Sequence, residues 1–173
     1  NLNCDGCHKE GQNIYQEMPA AILYEIISAC VEAGIRKVKL IGGEPTLHGD
    51  VVTLVKKLSR KFPYIDLSMV SNGTAKVSCY ETLIENGLKR LNISVHGLNE
   101  QVFLKNTKSN GETWQLMRNN LQQLLLRGYI NKINYVIKRG INEDDLYDLI
   151  DWLSNFSNIR LDVLNFLSLS SLK

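Results

Sequence analysis

The side chains best suited to bind a metal are two cysteines near the start of the chain, Cys4 and Cys7, in a Cys-x-x-Cys pair. Thiolates are soft ligands that bind zinc, iron–sulfur clusters and haem groups, and they also form redox pairs. Because His8 follows Cys7, the pair also matches the attachment pattern of c-type haem. The spacing therefore leaves four interpretations: a haem site, a thioredoxin-like redox pair, a zinc site, or a loop that holds an iron–sulfur cluster.

The surroundings of the pair favour some of these interpretations over others. A redox pair would follow a strand and open a helix, but no predicted strand precedes Cys4. A zinc site needs further ligands, and both remaining cysteines have structural interpretations. Cys30 falls on the predicted apolar face of a helix, and Cys79 falls in a predicted capping box, Ser78-Cys79-Tyr80-Glu81. Iron–sulfur ligation also needs a further ligand, so the pair alone does not decide the chemistry.

Composition narrows the class of protein. The chain has 173 residues, 44% hydrophobic residues and a formal net charge of +2. These values predict one domain with a substantial core. The charge is not concentrated in a basic run, which argues against nucleic-acid binding. No apolar stretch is long enough for a membrane span, and we find no secretory leader, so we expect a cytoplasmic location.

The elements that must position the cysteines alternate along the chain. Short runs rich in β-branched residues predict buried strands at Lys37–Ile41, Ile65–Val70, Arg90–Val95, Ile130–Ile137 and Ile159–Phe166. Segments with helical periodicity separate them, and Gly34, Gly87 and Gly128 are predicted helix stops. This alternation predicts a parallel sheet, either in a barrel or in an open doubly wound form.

The residues that follow each strand are the candidate site, because parallel sheets place function at the carboxyl ends of their strands. These segments are Gly42-Gly43-Glu44-Pro45, Ser71-Asn72-Gly73, His96-Gly97, Lys138-Arg139-Gly140 and the chain from Leu167 onward. Several contain glycine, which lets the backbone approach a ligand closely.

Taken in order, the motifs resemble those of the radical S-adenosylmethionine (SAM) superfamily. Asn1 to Asn3 look like the spacer of a Cys-x-x-x-Cys-x-x-Cys motif whose first cysteine would precede residue 1. The resemblance runs from Cys4 to about Leu167. It implies a partial (β/α)6 TIM-type barrel of parallel strands whose first strand is absent from this chain. Residues 1–173 would be a fragment of the radical SAM core, truncated inside the cluster motif and after the sixth strand.

The resemblance also implies an activity and its cofactors. Cys4 and Cys7 would hold a [4Fe-4S] cluster with a third cysteine, and SAM would chelate the open iron. Reductive cleavage of SAM would yield a 5′-deoxyadenosyl radical that abstracts hydrogen from a small-molecule or peptide substrate, with electrons from an external donor such as flavodoxin or ferredoxin. The cofactor-binding residues would be Gly42, Gly43, Glu44, Asn72, Ser94, Ile137 and Leu167, with catalytic residues unassigned.

Within the superfamily, the chain is similar to the GTP cyclases of molybdenum-cofactor biosynthesis. By this resemblance Lys39 and Lys132 would bind an anionic substrate. Val70 and Asp162 depart from the branch, standing where it has a threonine and a basic residue. Peptide or natural-product biosynthesis is equally compatible. A zinc-binding module, or a degenerate non-catalytic module of the same fold, is the alternative.

Overall fold

A computed structural model of the chain describes residues 2–4 and 17–165. Five strands form one sheet, namely β1 (Lys37–Leu40), β2 (Asp66–Ser71), β3 (Arg90–Val95), β4 (Ile130–Ile137) and β5 (Arg160–Asn165). All neighbours are parallel, and the strand order follows the chain order. The sheet is open, as expected for a partial barrel, so the predicted fold class is confirmed.

Helices connect the strands. They are α1 (Ala20–Glu32), α2 (Val51–Lys61), α3 (Val77–Glu85), α4 (Glu100–Thr107), α5 (Gly111–Leu126) and α6 (Glu143–Leu153), with a short 3₁₀ turn at Pro45–Leu47. Helix α4 was not expected, since its eight residues carry little periodicity. The signal for it was Asn99, whose side chain accepts a hydrogen bond from the Gln101 backbone N–H at 2.9 Å, as an N-cap does.

One face of the sheet carries the core. Right-handed crossovers between sequential parallel strands put all the helices on the same face, which we call the outer face. Fully buried residues of the strands, including Leu67, Met69 and Ile93, pack there with helix residues such as Leu58 and Leu121. The opposite, inner face carries the other half of the strand residues, and it is the face that a barrel encloses.

A β-bulge changes which residues of β4 reach the inner face. Leu91 pairs with Ile130, but the next residue, Asn92, pairs with Lys132, so Asn131 is the extra residue. Its side-chain oxygen accepts a hydrogen bond from the Leu91 backbone N–H at 2.9 Å and thereby closes the gap. Because side chains alternate along a strand, the bulge brings Lys132 to the inner face beside Asn92.

Two local predictions were wrong. Cys30, expected in the core, is exposed, because α1 turns Ser28 and Val31 towards the sheet instead. The capping box at Ser78 is not formed, since α3 begins at Val77 and its N-cap position is Lys76, two residues before Ser78. The predicted helix stops are confirmed, because the glycine after each of these helices has a positive φ. No helix in the described part of the chain is both long and apolar enough to span a bilayer.

Candidate functional site at the carboxyl ends of the strands

The glycine-rich segment after β1 opens the site. Gly42 and Gly43 follow Leu40 with one residue between, and a Cβ built on either would have no atom within 4 Å. The backbone here therefore borders open space at the edge of the sheet. This edge can admit a ligand that hydrogen-bonds directly to the main chain.

Glu44 ties this segment to the next strand. Its Oε1 accepts hydrogen bonds from the Thr46 hydroxyl at 2.6 Å and from the Ser71 hydroxyl at 2.8 Å. Its Oε2 accepts one from the Asn72 backbone N–H at 2.7 Å. The carboxylate thus holds the loop after β1 against the end of β2, a contact that the sequence did not predict for it.

Buried hydroxyl groups extend this connection. Ser71 and Tyr80 share a hydrogen bond of 2.7 Å, and the Tyr80 oxygen accepts another from the Ala75 backbone N–H at 3.3 Å. Burial raises the pKa of Tyr80 to about 12, against a weaker opposing effect of its bond to Ser71. The phenol therefore stays neutral across physiological pH and can act as a donor.

The turn after β2 is fixed from two sides. The Asn72 side-chain oxygen accepts hydrogen bonds from the Thr74 hydroxyl at 2.6 Å and from its backbone N–H at 3.0 Å. From α5, the buried Asn120 amide donates to the carbonyls of Gly73 at 2.8 Å and Ala75 at 2.6 Å. Gly73 has a φ of +80°, which favours glycine. The role of Asn120 was not predicted, although an asparagine among the leucines of a helix could have indicated a buried hydrogen bond.

Ser94 lies in β3, and His96 is the first residue after it. Because the two residues are two positions apart, their side chains lie on the same face of the sheet. Ser94 is partly buried and pairs with Asn134 of β4. Burial, aided by the nearby charge of Lys138, lowers the pKa of His96 to about 4. Its imidazole is therefore neutral at physiological pH. Gly97 follows, and a Cβ there would lie 2.5 Å from the Phe103 backbone nitrogen, so the loop packs tightly on α4.

A buried carboxylate, Asp145, joins the loops after β3 and β4. It is 3% exposed and accepts hydrogen bonds from the backbone N–H groups of Leu98 at 2.8 Å and Asn99 at 2.6 Å, and from the Tyr135 hydroxyl at 2.7 Å. Burial and this bond raise the pKa of Tyr135. The sequence analysis assigned Asp145 no role, so its part in joining these loops was missed.

The turn beyond Ile137 is organised by Asn142. Its side-chain oxygen accepts from the Lys138 backbone N–H at 2.7 Å, and its amide donates to the Val136 carbonyl at 2.8 Å. The Tyr135 hydroxyl also lies 3.0 Å from the Asn142 carbonyl. The turn that follows the predicted cofactor-binding residue Ile137 is thus held by the same hydrogen-bond network as Asp145.

The cysteine segment is only partly described. Cys4 is partly buried, and the Asn3 backbone N–H bonds to the Thr107 carbonyl at 3.0 Å. This bond anchors the segment to α4, the helix that follows β3. Cys7 and Leu167 lie outside the described residues. Among the residues that are described, no three His, Cys, Asp or Glu side chains are grouped to hold a metal ion.

The two predicted substrate lysines lie on the inner face. Lys39 is exposed on β1 and pairs in register with Ser68 of β2. The Lys132 amino group lies 2.8 Å from Asp162 Oδ2, and the Arg160 Nε lies 2.7 Å from Asp162 Oδ1. The single carboxylate of Asp162 is therefore shared between Lys132 and Arg160, which the sequence alone did not indicate.

Comparison with known proteins adds to this geometry. Residues 1–153 match the family described as the Radical SAM superfamily. The chain is 36% identical over 152 residues to the "Probable GTP 3',8-cyclase" of Pyrococcus abyssi, covering 87% of this chain and 48% of that protein. It is 31% identical over 159 residues to "Molybdenum cofactor biosynthesis protein 1" of Drosophila melanogaster, covering 90% of this chain and 28% of that protein. The chain spans about half the length of the archaeal relative.

Solved structures share the fold. Streptococcus suis SuiB bound to S-adenosylmethionine matches with a TM-score of 0.81 and 19% identity, over 98% of this chain and 39% of that one. The protein anSMEcpe with bound AdoMet matches with a TM-score of 0.75 and 22% identity, over 96% of this chain and 48% of that one. At these identities the likeness establishes the fold.

Proposed function

The chain belongs to the radical SAM superfamily, in its GTP cyclase-like branch, and we propose that it forms the SAM-cleaving core of a radical enzyme. The family implies a [4Fe-4S] cluster and SAM as cofactors. The substrate is a small molecule or a peptide, and a cyclase acting on GTP is one candidate subclass. We further propose an external reductant such as flavodoxin or ferredoxin, and a cytoplasmic location.

The observation that carries this proposal is that the loops after β1 and β2 are bonded to each other at the carboxyl edge of the sheet. Gly42 and Gly43 border open space, and Glu44 ties their loop to Ser71 and Asn72 after the neighbouring strand. Ser94 follows on the third strand of the row. An edge held in one shape before a ligand arrives suits a cofactor that must be placed accurately for its chemistry.

The residues present fit the implied cofactors. Cys4 supplies a soft thiolate from a segment anchored at α4, and Cys7 would supply a second. When bound and reduced, the cluster and SAM supply a radical that abstracts hydrogen from the substrate. In this proposal, the Gly42–Gly43 backbone binds the methionine amino group, whose charge Glu44 balances. Ser94 and Asn72 provide further polar groups, and Ile137 provides a contact beside the adenine.

The test is anaerobic reconstitution of the full-length protein with iron and sulfide, followed by reduction in the presence of SAM. We expect a brown protein with a broad visible absorbance shoulder that releases 5′-deoxyadenosine and methionine. Cys4→Ala and Cys7→Ala should abolish both properties while far-ultraviolet circular dichroism is retained. Cys30→Ala is the matched control, because Cys30 is exposed on α1 away from the site, and it should behave as the wild type.

The zinc-binding alternative predicts a different result. A colourless protein that holds stoichiometric zinc and releases no 5′-deoxyadenosine would contradict the enzyme. SAM cleavage that persists in Cys4→Ala would contradict the assignment of that thiolate to the cluster.

A further inference from the structure

A series of buried hydroxyl groups runs from helix α3 to the carboxyl edge of the sheet, which we call the upper edge. Tyr80 lies on α3 and is completely buried, and Ser71, the last residue of β2, is 2% exposed. Hydrogen bonds of 3.3, 2.7 and 2.8 Å link the Ala75 backbone N–H, Tyr80, Ser71 and Glu44 in that order. We call this series the hydroxyl relay.

The direction of each bond in the hydroxyl relay follows from the number of protons, because a hydroxyl group has only one to donate. The Glu44 carboxylate accepts, so the Ser71 hydroxyl donates its proton to Glu44 Oε1. Ser71 Oγ must then accept in its bond with Tyr80, as it does from the Gly73 backbone N–H at 3.2 Å. The phenol is therefore the donor, and its oxygen accepts from Ala75. All the bonds of the relay point towards the carboxylate, an arrangement in which successive hydrogen bonds strengthen one another.

The two carboxylate oxygens of Glu44 differ in how many donors they meet. Oε1 accepts from the Ser71 hydroxyl, and from the hydroxyl and the backbone N–H of Thr46 at 2.6 and 3.2 Å. Within residues 2–4 and 17–165, Oε2 accepts only from the Asn72 backbone N–H, at 2.7 Å. Because a carboxylate oxygen has two lone pairs, Oε2 is the atom at which a further donor can bind.

A ligand can reach Glu44 without touching the hydroxyl relay. Glu44 is partly exposed and directly follows Gly42 and Gly43, which border open space. Ser71 and Tyr80 lie behind the carboxylate and are buried. An effect of these two hydroxyl groups on a ligand at the upper edge is therefore transmitted through Glu44.

We propose that Ser71 and Tyr80 are positioning residues for SAM, because the hydroxyl relay fixes the Glu44 carboxylate for the ammonium group of the methionine part. The inference rests on the proposed function and adds to it two residues that do not touch the cofactor. A carboxylate that is already fixed loses little rotamer freedom when the ammonium group binds, so the bond contributes more to affinity. A purely structural role of the two hydroxyl groups would affect folding and cluster content, but not SAM affinity by itself.

The test measures equilibrium binding of SAM to the reconstituted, unreduced full-length protein, and then SAM cleavage at saturating SAM after reduction. Ser71→Ala should weaken SAM binding about tenfold and Tyr80→Phe about threefold, as expected for bonds that end on a charged group. The saturated cleavage rate and the iron content should stay at the wild-type level. The double variant should bind SAM as Ser71→Ala does, because Tyr80 acts through Ser71. Ser78→Ala and Tyr147→Phe are matched exposed changes and should keep the wild-type affinity.

Three outcomes would overturn the inference. They are an unchanged SAM affinity in Tyr80→Phe, additive losses in the double variant, and a loss of affinity matched by losses of iron and of the saturated cleavage rate. Tyr80→Phe keeps the buried ring, so it provides the test by itself if Ser71→Ala does not fold. A wild-type protein that fails to cleave SAM would instead contradict the proposed function.

Discussion

The upper edge of the sheet differs in its polar groups from the inner cleft, a space of about 200 Å³ among the first residues of the strands. The inner cleft is lined by Lys39, Arg90, Asn92, Asn131, Lys132 and Arg160. At the edge, Glu44 and Asp145 accept hydrogen bonds from neighbouring loops, and Asn72 accepts one within its own turn. At the cleft, by contrast, Lys132 and Arg160 share the single carboxylate of Asp162, at 2.8 and 2.7 Å. The edge is thus held by bonds from the main chain, whereas the cleft keeps more positive than negative charge for a ligand.

This difference follows from what each region has to do. A cofactor common to a whole family can be bound by a rigid set of hydrogen-bonded loops, which we call the frame. A rigid frame requires that each of its polar groups has a hydrogen-bond partner. A substrate differs from one relative to the next, so selectivity depends on a few groups that stay available and on charges that exclude wrong ligands. Breaking a frame residue should therefore reduce stability, while changing a cleft residue should alter selectivity with little effect on stability.

The largest expected effect comes from Asp145. In Asp145→Asn the side chain keeps its size, but one oxygen becomes an amide that faces the donors of Leu98, Asn99 and Tyr135. Losing bonds to a buried charged acceptor should lower the free energy of unfolding by about 3 kcal/mol. Urea denaturation measures this loss, and hydrogen exchange should accelerate at the Leu98 and Asn99 amides.

The neighbouring residue provides the control for this change. Asp144→Asn removes the same charge from the same helical turn, but Asp144 is exposed. It should cost less than about 0.5 kcal/mol, as surface substitutions usually do. Equal losses in the two variants would mean that the charge near the helix N-terminus, and not the bonds to the loops, stabilises this edge.

The next effect is a pH dependence that originates at the edge. The pKa of His96 is about 4 in the folded chain and 6.5 in its ordinary state. Between these values the unfolded chain binds a proton that the folded chain does not, so the stability present above pH 6.5 is lost as pH falls towards 4. Because the ring is partly accessible to solvent, we expect the free energy of unfolding to fall by about 2 kcal/mol, less than the full pKa shift would give.

Comparing variants isolates this contribution from other titrating groups. Urea titrations at each pH measure the free energy of unfolding of both proteins. Between pH 7 and pH 4, the loss in His96→Gln should be about 2 kcal/mol smaller than the loss in the wild type. Identical pH profiles for wild type and His96→Gln would show that the imidazole is not held in its neutral form.

A smaller effect is expected from Tyr80→Phe. The change removes the hydroxyl that bonds to Ser71 and accepts from Ala75, but Ser71 keeps its bond to Glu44. The loss should be about 1 kcal/mol, the typical net value of a hydrogen bond. Tyr147→Phe is the control, since Tyr147 is 72% exposed, and thermal unfolding should not separate it from the wild type. A loss as large as that of Asp145→Asn would show that the whole Glu44 connection depends on this phenol.

Much of the frame could be predicted from the sequence because it is encoded locally. The strands Arg90–Val95 and Ile130–Ile137 have the same bounds in the structure as in the sequence prediction. Gly34, Gly87 and Gly128 end helices for a conformational reason visible in a few residues. The strand-end segments were found because parallel topology fixes where the ends meet.

What could not be predicted depends on contacts between distant residues. Asp145 bonds to Leu98 across 47 positions, and Lys132 pairs with Asp162 across 30. Neither separation leaves a local pattern. The prediction that Cys30 lies on the buried face of α1 was also wrong. The apolar residues of α1 are spread around the helix, so their periodicity does not indicate one buried face.

The smallest expected effect on stability concerns the cleft, the second of the two regions compared. Arg160 is paired with Asp162, but its side chain is 75% exposed, and exposed ion pairs contribute little to stability. Arg160→Ala should therefore change the midpoint of urea unfolding by less than Tyr80→Phe does. Its effect should appear in the binding of anions such as GTP instead, which should weaken because the cleft would lose one positive charge. Arg139→Ala, another exposed change outside the inner cleft, should alter neither property. A loss of stability in Arg160→Ala that matches Asp145→Asn would mean that the cleft, like the edge, is part of the frame.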